Sequence, residues 1–118
     1  MGFVATLQAL VERLEAAGVE AASDRRDLNP PAVLVTPVAL LAPTKLCGRG
    51  WLAANLDLVV GDTGDDPALV QLEKLYDVVA PAVADIVVPG DRDFTRVSTT
   101  DSPDQLPGLR IPVQTPIA

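Results

Sequence analysis

The carboxylates of Asp62, Asp65 and Asp66, set close together in Asp62-Thr63-Gly64-Asp65-Asp66-Pro67, are the densest group in the chain that could hold a metal or move a proton. A calcium loop of the EF-hand type needs ligands alternating over about twelve positions and closed by a glutamate, and nothing of that length exists here. The same residues also read as a helix start. Asp66 is then the N-cap, Pro67 stands at the first helical position, and the remaining negative charge faces the positive end of the helix dipole. The cap reading is the simpler one. Other reactive chemistry is sparse: the sequence has no histidine and one cysteine, Cys47, which leaves no imidazole base and no internal disulfide. Ser23, Ser98 and Ser102 fall in polar connectors rather than in the strand-to-helix turn that exposes a nucleophilic serine. Gly48-Arg49-Gly50 lacks the third glycine of a dinucleotide fingerprint and the following lysine of a phosphate loop, so it reads as a hairpin tip. No enzymatic activity, cofactor or metal is expected.

Composition narrows the class further. The chain has 118 residues, enough for a single domain spanning 1–118, and a formal net charge of −7. Nucleic-acid affinity comes mainly from Lys and Arg on phosphates, and an acidic chain whose only lysines are Lys45 and Lys74 holds DNA at a distance. Hydrophobic residues make up 48% but aromatics only 3%. The core must then be built from Ala, Val and Leu, which bury little area each. Part of the stability is therefore expected from association with further copies. No secretory apolar region or membrane-length run is seen, which places the chain in the cytosol where it is made. Met1-Gly2-Phe3-Val4-Ala5-Thr6 fits the permissive myristoylation pattern, but the residues that follow read as helix.

The elements that position these groups follow from periodicity. Phe3, Leu7, Leu10, Val11 and Leu14 recur at helical spacing with Gln8, Glu12, Arg13 and Glu15 opposite, and Gly18 stands where a C-cap glycine would. Val19 to Arg26 reads as a connector. Asn29-Pro30-Pro31 cannot continue a helix, because each ring fixes φ and removes a donor, so the chain emerges extended into a strand over Ala32 to Thr36. Val38 to Leu46, interrupted by Pro43, reads as an edge or bulged strand. The strongest strand signal is Trp51 to Val60, with Leu52, Ala54, Leu56, Leu58 and Val60 on a core face and Trp51, Ala53, Asn55, Asp57 and Val59 on the other. A second amphipathic helix carries Leu69, Leu72, Leu75 or Tyr76, and Val79, and should lie beside the first on the sheet. Residues 81–88 read equally as helix past Pro81 or as a short strand from Ile86. Phe94 to Thr99 alternates as a strand, 98–107 is a polar loop, and Leu109 to Ile117 is a strand whose prolines at 112 and 116 mark it as an edge. The fold class is α+β: a mixed, mostly antiparallel sheet of about four to five strands with two amphipathic helices packed on one face.

With no reactive cluster, the residues most open to function are those that could meet another subunit. Arg25 and Arg26, flanked by Asp24 and Asp27, form ion pairs that do little on a surface but suit an interface. Arg49 sits at the hairpin tip. Trp51, Asn55 and Asp57 line the mixed face of the best strand, and tryptophan is favoured at interface hot spots.

The order of elements carries a resemblance. A helix ending near Gly18, the entry Arg26-Asp27-Leu28-Asn29-Pro30-Pro31-Ala32-Val33-Leu34-Val35, a hairpin through Gly48 and Trp51, an Asp-Pro helix start and the closing Leu109-Arg110-Ile111-Pro112-Val113-Gln114-Thr115-Pro116-Ile117 strand resemble the tail terminator proteins of long-tailed phages, especially those infecting actinobacteria. The similarity spans nearly the whole chain and is most specific from Asp27 to Val35. It implies a virion protein at the head-tail junction, assembled in the host cytoplasm. It implies a hexameric ring that caps the tail tube, ends its polymerisation and docks the tail to the head connector or stopper protein, while genomic DNA passes through without specific binding and no membrane is involved. The alternatives are another joining component, such as a head-completion stopper or minor tail protein, and a small bacterial enzyme or regulator.

Overall fold

Leu10, Val11 and Leu14, spaced to fall on one side of a helix, are buried, and they mark the inner stripe of α1 (Phe3–Ala16). A computed structural model of the chain describes residues 2–27, 29–41, 50–61, 64–90, 92–97 and 105–117, with the side chains of all of these except Arg25 and Asp65. The helix stops as its sequence predicts. Gly18 takes φ +97°, its N–H donates to the Glu15 carbonyl at 3.0 Å, and the Val19 N–H reaches back to the Leu14 carbonyl at 3.3 Å. A left-handed glycine here satisfies carbonyls that the helix end leaves open.

Five strands follow in one sheet, in the spatial order β1-β2-β3-β5-β4. They are β1 (Ala21–Ala22), β2 (Ala32–Leu41), β3 (Trp51–Val59), β4 (Asp93–Val97) and β5 (Leu106–Pro116), with α2 (Asp65–Ala82) between β3 and β4. Only the short β1–β2 pair is parallel, and the other three pairs are antiparallel. The expected mixed, mostly antiparallel α+β sheet is what forms. Leu10, Leu14, Leu72 and Val79 from the two helices join Val33 and Val35 of β2, Ala54, Leu56 and Leu58 of β3, and Leu109, Ile111 and Val113 of β5 in one buried cluster. Both helices therefore cover the same sheet face. A second cluster, Ala22, Ala32, Leu34, Val59, Val97 and Leu106, contains no residue of either helix. Its members alternate with the first set along the strands, which places them on the opposite face.

Several elements differ from their sequence reading. Ala32–Thr36 and the apolar stretch after Pro37 are one strand rather than two. A register shift between Pro37 and Ala39 absorbs the proline as a bulge, so pairing with β3 continues to Leu41 opposite Trp51. Residues 42–49, including the expected hairpin tip and Arg49, lie outside the described residues, as do Asp62 and Thr63 and residues 98–104. The connector after α1 supplies β1 and a 3-10 turn at Arg25–Asp27. The N-cap of α2 is Gly64 at φ +104°, with no side-chain cap bond, and not Asp66. Pro67 instead sits within the first turn, where its missing N–H would have no partner in any case. The ambiguity at 81–88 resolves into both readings. The helix passes Pro81 to end at Ala82, and Val87 then makes a single bridge to Val113.

The last strand is not an edge. β5 lies between β3 and β4, and β4 is the border. The prolines still sit where they do least harm. Val88 N–H donates to the Pro112 carbonyl and Gln114 N–H donates to the Ile86 carbonyl, so residues 112 and 114 direct their backbone groups away from β3. Pro112 lacks its donor on that outer side, and pairing with β4 has already ended there at Arg110. The β3–β5 ladder is left intact.

Two substitutions test this architecture. Leu56 is wholly buried at the centre of the larger cluster, and Leu56→Asp forces an unpaired carboxylate into it. A loss of more than about 4 kcal/mol is expected, comparable with the whole stability of a small domain, and circular dichroism should show no cooperative unfolding. Gly108 has no room for a side chain, since a Cβ there would lie 2.8 Å from the Leu58 carbonyl oxygen and 3.3 Å from Val97 Cγ2. Gly108→Ala should lower the thermal midpoint by the equivalent of about 1–3 kcal/mol while leaving the far-ultraviolet spectrum unchanged.

Candidate functional site

Alternation along β3 sends Asn55 and Asp57 to the face away from the helices, and register then decides their fate. Asp57 stands directly across from Arg110 on β5, and Arg110 stands across from Asp93 on β4. The guanidinium meets the Asp57 carboxylate twice, Nε to Oδ1 at 2.8 Å and an Nη to Oδ2 at 3.3 Å. Asp57 is only 3% exposed, so its charge would be costly without this partner. The hydrogen bond to Asp57 raises the pKa of Arg110 above its ordinary value. Asp57, read from sequence as a residue open to a neighbour, is instead already engaged within its own chain. Asn55 is half-buried beside it.

The arginines before the Pro-Pro entry are likewise engaged. Arg26 donates to Asp24 through both its side chain and its backbone N–H. These bonds, the side-chain one foremost, hold the Asp24 carboxyl below its usual range. Both side chains are largely in water, and such pairs contribute little to stability. Arg25 lies in the 3-10 turn, and its side chain is outside the described set. Among the described residues no group of three or more His, Cys, Asp or Glu side chains could hold a metal.

Besides Val70 and Val78 on α2, the exposed apolar side chains of the described residues gather at two places. The first is the end of the β2–β3 pair. Leu41 and Trp51 face each other on one side of the sheet and Leu40 and Leu52 on the other. Trp51 is 48% exposed and Val38 59%, while Phe3 at the start of α1 lines a shallow depression with Val38 and Leu40. The second is a groove of about 480 Å³ between the first turns of α2 and the β4 edge, lined by Ala68, Leu69, Leu72, Phe94, Arg96 and Gly108 among others. Phe94 is 67% exposed at its rim.

Of the sequence-nominated residues whose side chains are described, Trp51 alone belongs to an exposed apolar surface. Asn55 and Asp57 lie on the same strand but further in, and Arg26 lies at the β1 side. Sequence reading missed Arg110, whose signal was an opposite charge on an alternating strand. It also missed the groove, whose signals were Phe94 in a short strand and Leu69 beside the buried stripe of α2. No protein-family profile matches this chain, and no curated protein matches it significantly.

Removing one partner of the central pair should be felt. Arg110→Ala leaves the Asp57 carboxylate buried and unpaired. Because Arg110 is itself 43% exposed, water relieves part of the penalty, and a loss of about 1–3 kcal/mol is expected. Denaturant titration should show a lower midpoint at an unchanged slope. Asp57→Asn, which keeps the acceptor oxygen but not the charge, should cost less.

Proposed function

We propose that this chain is a structural virion protein of the tail-terminator type, whose subunits close into a ring at the head-tail junction. The observation that carries the reading is the large apolar surface left open on an acidic chain. Trp51, Val38, Leu40 and Leu41 remain exposed at one end of the sheet and Phe94 and Leu69 at the other. A monomer in water would be expected to hide such groups or replace them, and patches of this kind mark interfaces. The described part of the chain is also elongated, 50 × 27 × 23 Å, so its two ends are well separated and available to different neighbours. Surfaces that differ at the two ends join head to tail, and such contacts make rings when the rotation closes.

Charge supports the same role. With sixteen acidic and nine basic residues, a ring of these subunits would repel a passing duplex rather than adsorb it. The resemblance of the Asp27 to Val35 segment and of the element order to tail terminators names the assembly. The six-fold ring, the tail-tube end and the head connector are the partners that this reading supplies.

Deleting the gene from its phage gives the decisive measurement. Electron microscopy should show tails that overrun their normal length and fail to join heads, with normal length restored by the protein supplied in trans. Tails of normal length on unjoined particles, together with recovery of portal or adaptor but never tube protein in a pull-down, would instead assign the chain to head completion.

A further inference from the structure

The face that β3 and β5 turn to the helices does not say how the two strands should be aligned. Ala54, Leu56 and Leu58 stand across from Val113, Ile111 and Leu109. A slip of one residue would turn the apolar side chains of one strand outward, and burial forbids it. A slip of two keeps every one of them inward and only exchanges one aliphatic neighbour for another. The proline in the middle of β5 is equally indifferent. Pro112 directs its backbone away from β3, where its carbonyl accepts from the Val88 N–H, and a shift of two residues leaves that direction unchanged. Gly108, which has no room for a side chain, faces Val59 at the last position of β3, where a mismatch disturbs one terminal pair.

The open face is where the alignments differ. There Asp57 and Arg110 face each other, and the guanidinium holds the carboxylate through two hydrogen bonds. We propose that this pair is a register lock, which selects the observed alignment of β3 and β5 over the two that are displaced by two residues. One displacement sets Asp57 across from Pro112 and Arg110 across from Val59. The other sets Asp57 across from Gly108 and Arg110 across from Asn55. In both, the two charged residues stand on a diagonal of about 7–8 Å, and the bidentate contact is lost. Asp93, which faces Arg110 from β4, moves with β5, so the arginine keeps a carboxylate beside it. The penalty falls on Asp57, a buried charge left without its cation.

Buried ion pairs suit such a task. They add little net stability over apolar residues of similar volume, whereas separating the partners is costly. The pair therefore acts on the choice between alignments and hardly on the depth that all of them share.

Disulfide trapping reads the alignment directly. In a Cys47→Ser chain, Gln114→Cys is combined in turn with Ala53→Cys, Asn55→Cys or Trp51→Cys. Ala53 faces Gln114 in the observed register, and Asn55 or Trp51 takes its place after one or the other displacement. A disulfide needs Cα atoms within about 7 Å, so a diagonal pair closes poorly. Each combination is oxidised with Asp57 and Arg110 in place, and again after Asp57→Val with Arg110→Val, residues that strands favour. With the ion pair, the 53–114 bridge is expected to form and the other two to lag far behind. Without it, the 55–114 or the 51–114 bridge should form at least tenfold faster relative to the 53–114 bridge, in a chain that still melts cooperatively. Displaced bridges that gain nothing in the charge-free chain overturn the lock, as do displaced bridges already prominent while the ion pair is present. A charge-free chain that does not fold overturns it too, because the pair would then hold the sheet together and not choose its alignment.

Discussion

The two helices meet the sheet through a single layer of aliphatic side chains, and that layer has β3 at its centre. Leu52, Ala54, Leu56 and Leu58 leave the strand on one face, where β2 and β5 add Val33, Val35, Leu109, Ile111 and Val113. Each such side chain stabilises the fold by only about 1.5–3 kcal/mol, so the layer works through continuity and not through any large residue. With aromatics at 3% of the chain, Tyr76 is the one ring packed against this layer among the described residues. Everything beyond this layer takes its place from the register it imposes.

Register explains why the opposite face behaves differently. Val59 and Ala32 bury each other near one end, and Leu34 stands across from Asp57, which Arg110 engages from β5. The polar centre of that face is satisfied by the chain itself, through an ion pair of bidentate geometry that joins β3 to β5 beside their backbone ladder. The same face loses its cover towards Trp51, where β2 has no outer neighbour, since β1 pairs only with Val33 and Leu34. Exposed apolar surface therefore collects where the sheet outgrows its flanking elements.

The growth of the sheet at one corner and the gap between α2 and β4 at the other are two results of the same imbalance. β2 and β3 run nine or ten residues, β4 runs five, and the strands cannot all be matched along their length. A monomeric domain would trim or charge these ends.

Local signals in the sequence determined the two helices, the alternation of β3 and the left-handed Gly18, each of which depends on a residue and its near neighbours. They also determined the α+β class, since a period of two followed by a period of 3.6 leaves few other arrangements. The helix start at Asp66 was misread because Pro67 was taken for the first helical position when it lies further into the first turn. The edge assignment of Leu109 to Ile117 and the separation of Ala32–Thr36 from the apolar run after it were misread for one reason. A proline looks like a stop until the partner strand is known, and only then is it clear which side of the backbone lacks its donor. Trp51 was legible as an exposed aromatic, because it begins a strand whose alternate positions are polar. Tertiary structure alone decided that Asp57 belongs to Arg110, that Phe94 and Leu69 frame one groove, and that this groove and the Trp51 corner lie at opposite ends. Those facts depend on which residues face each other across strands far apart in the chain, and hydrogen-bond register is set by the whole sheet closing under its helices at once.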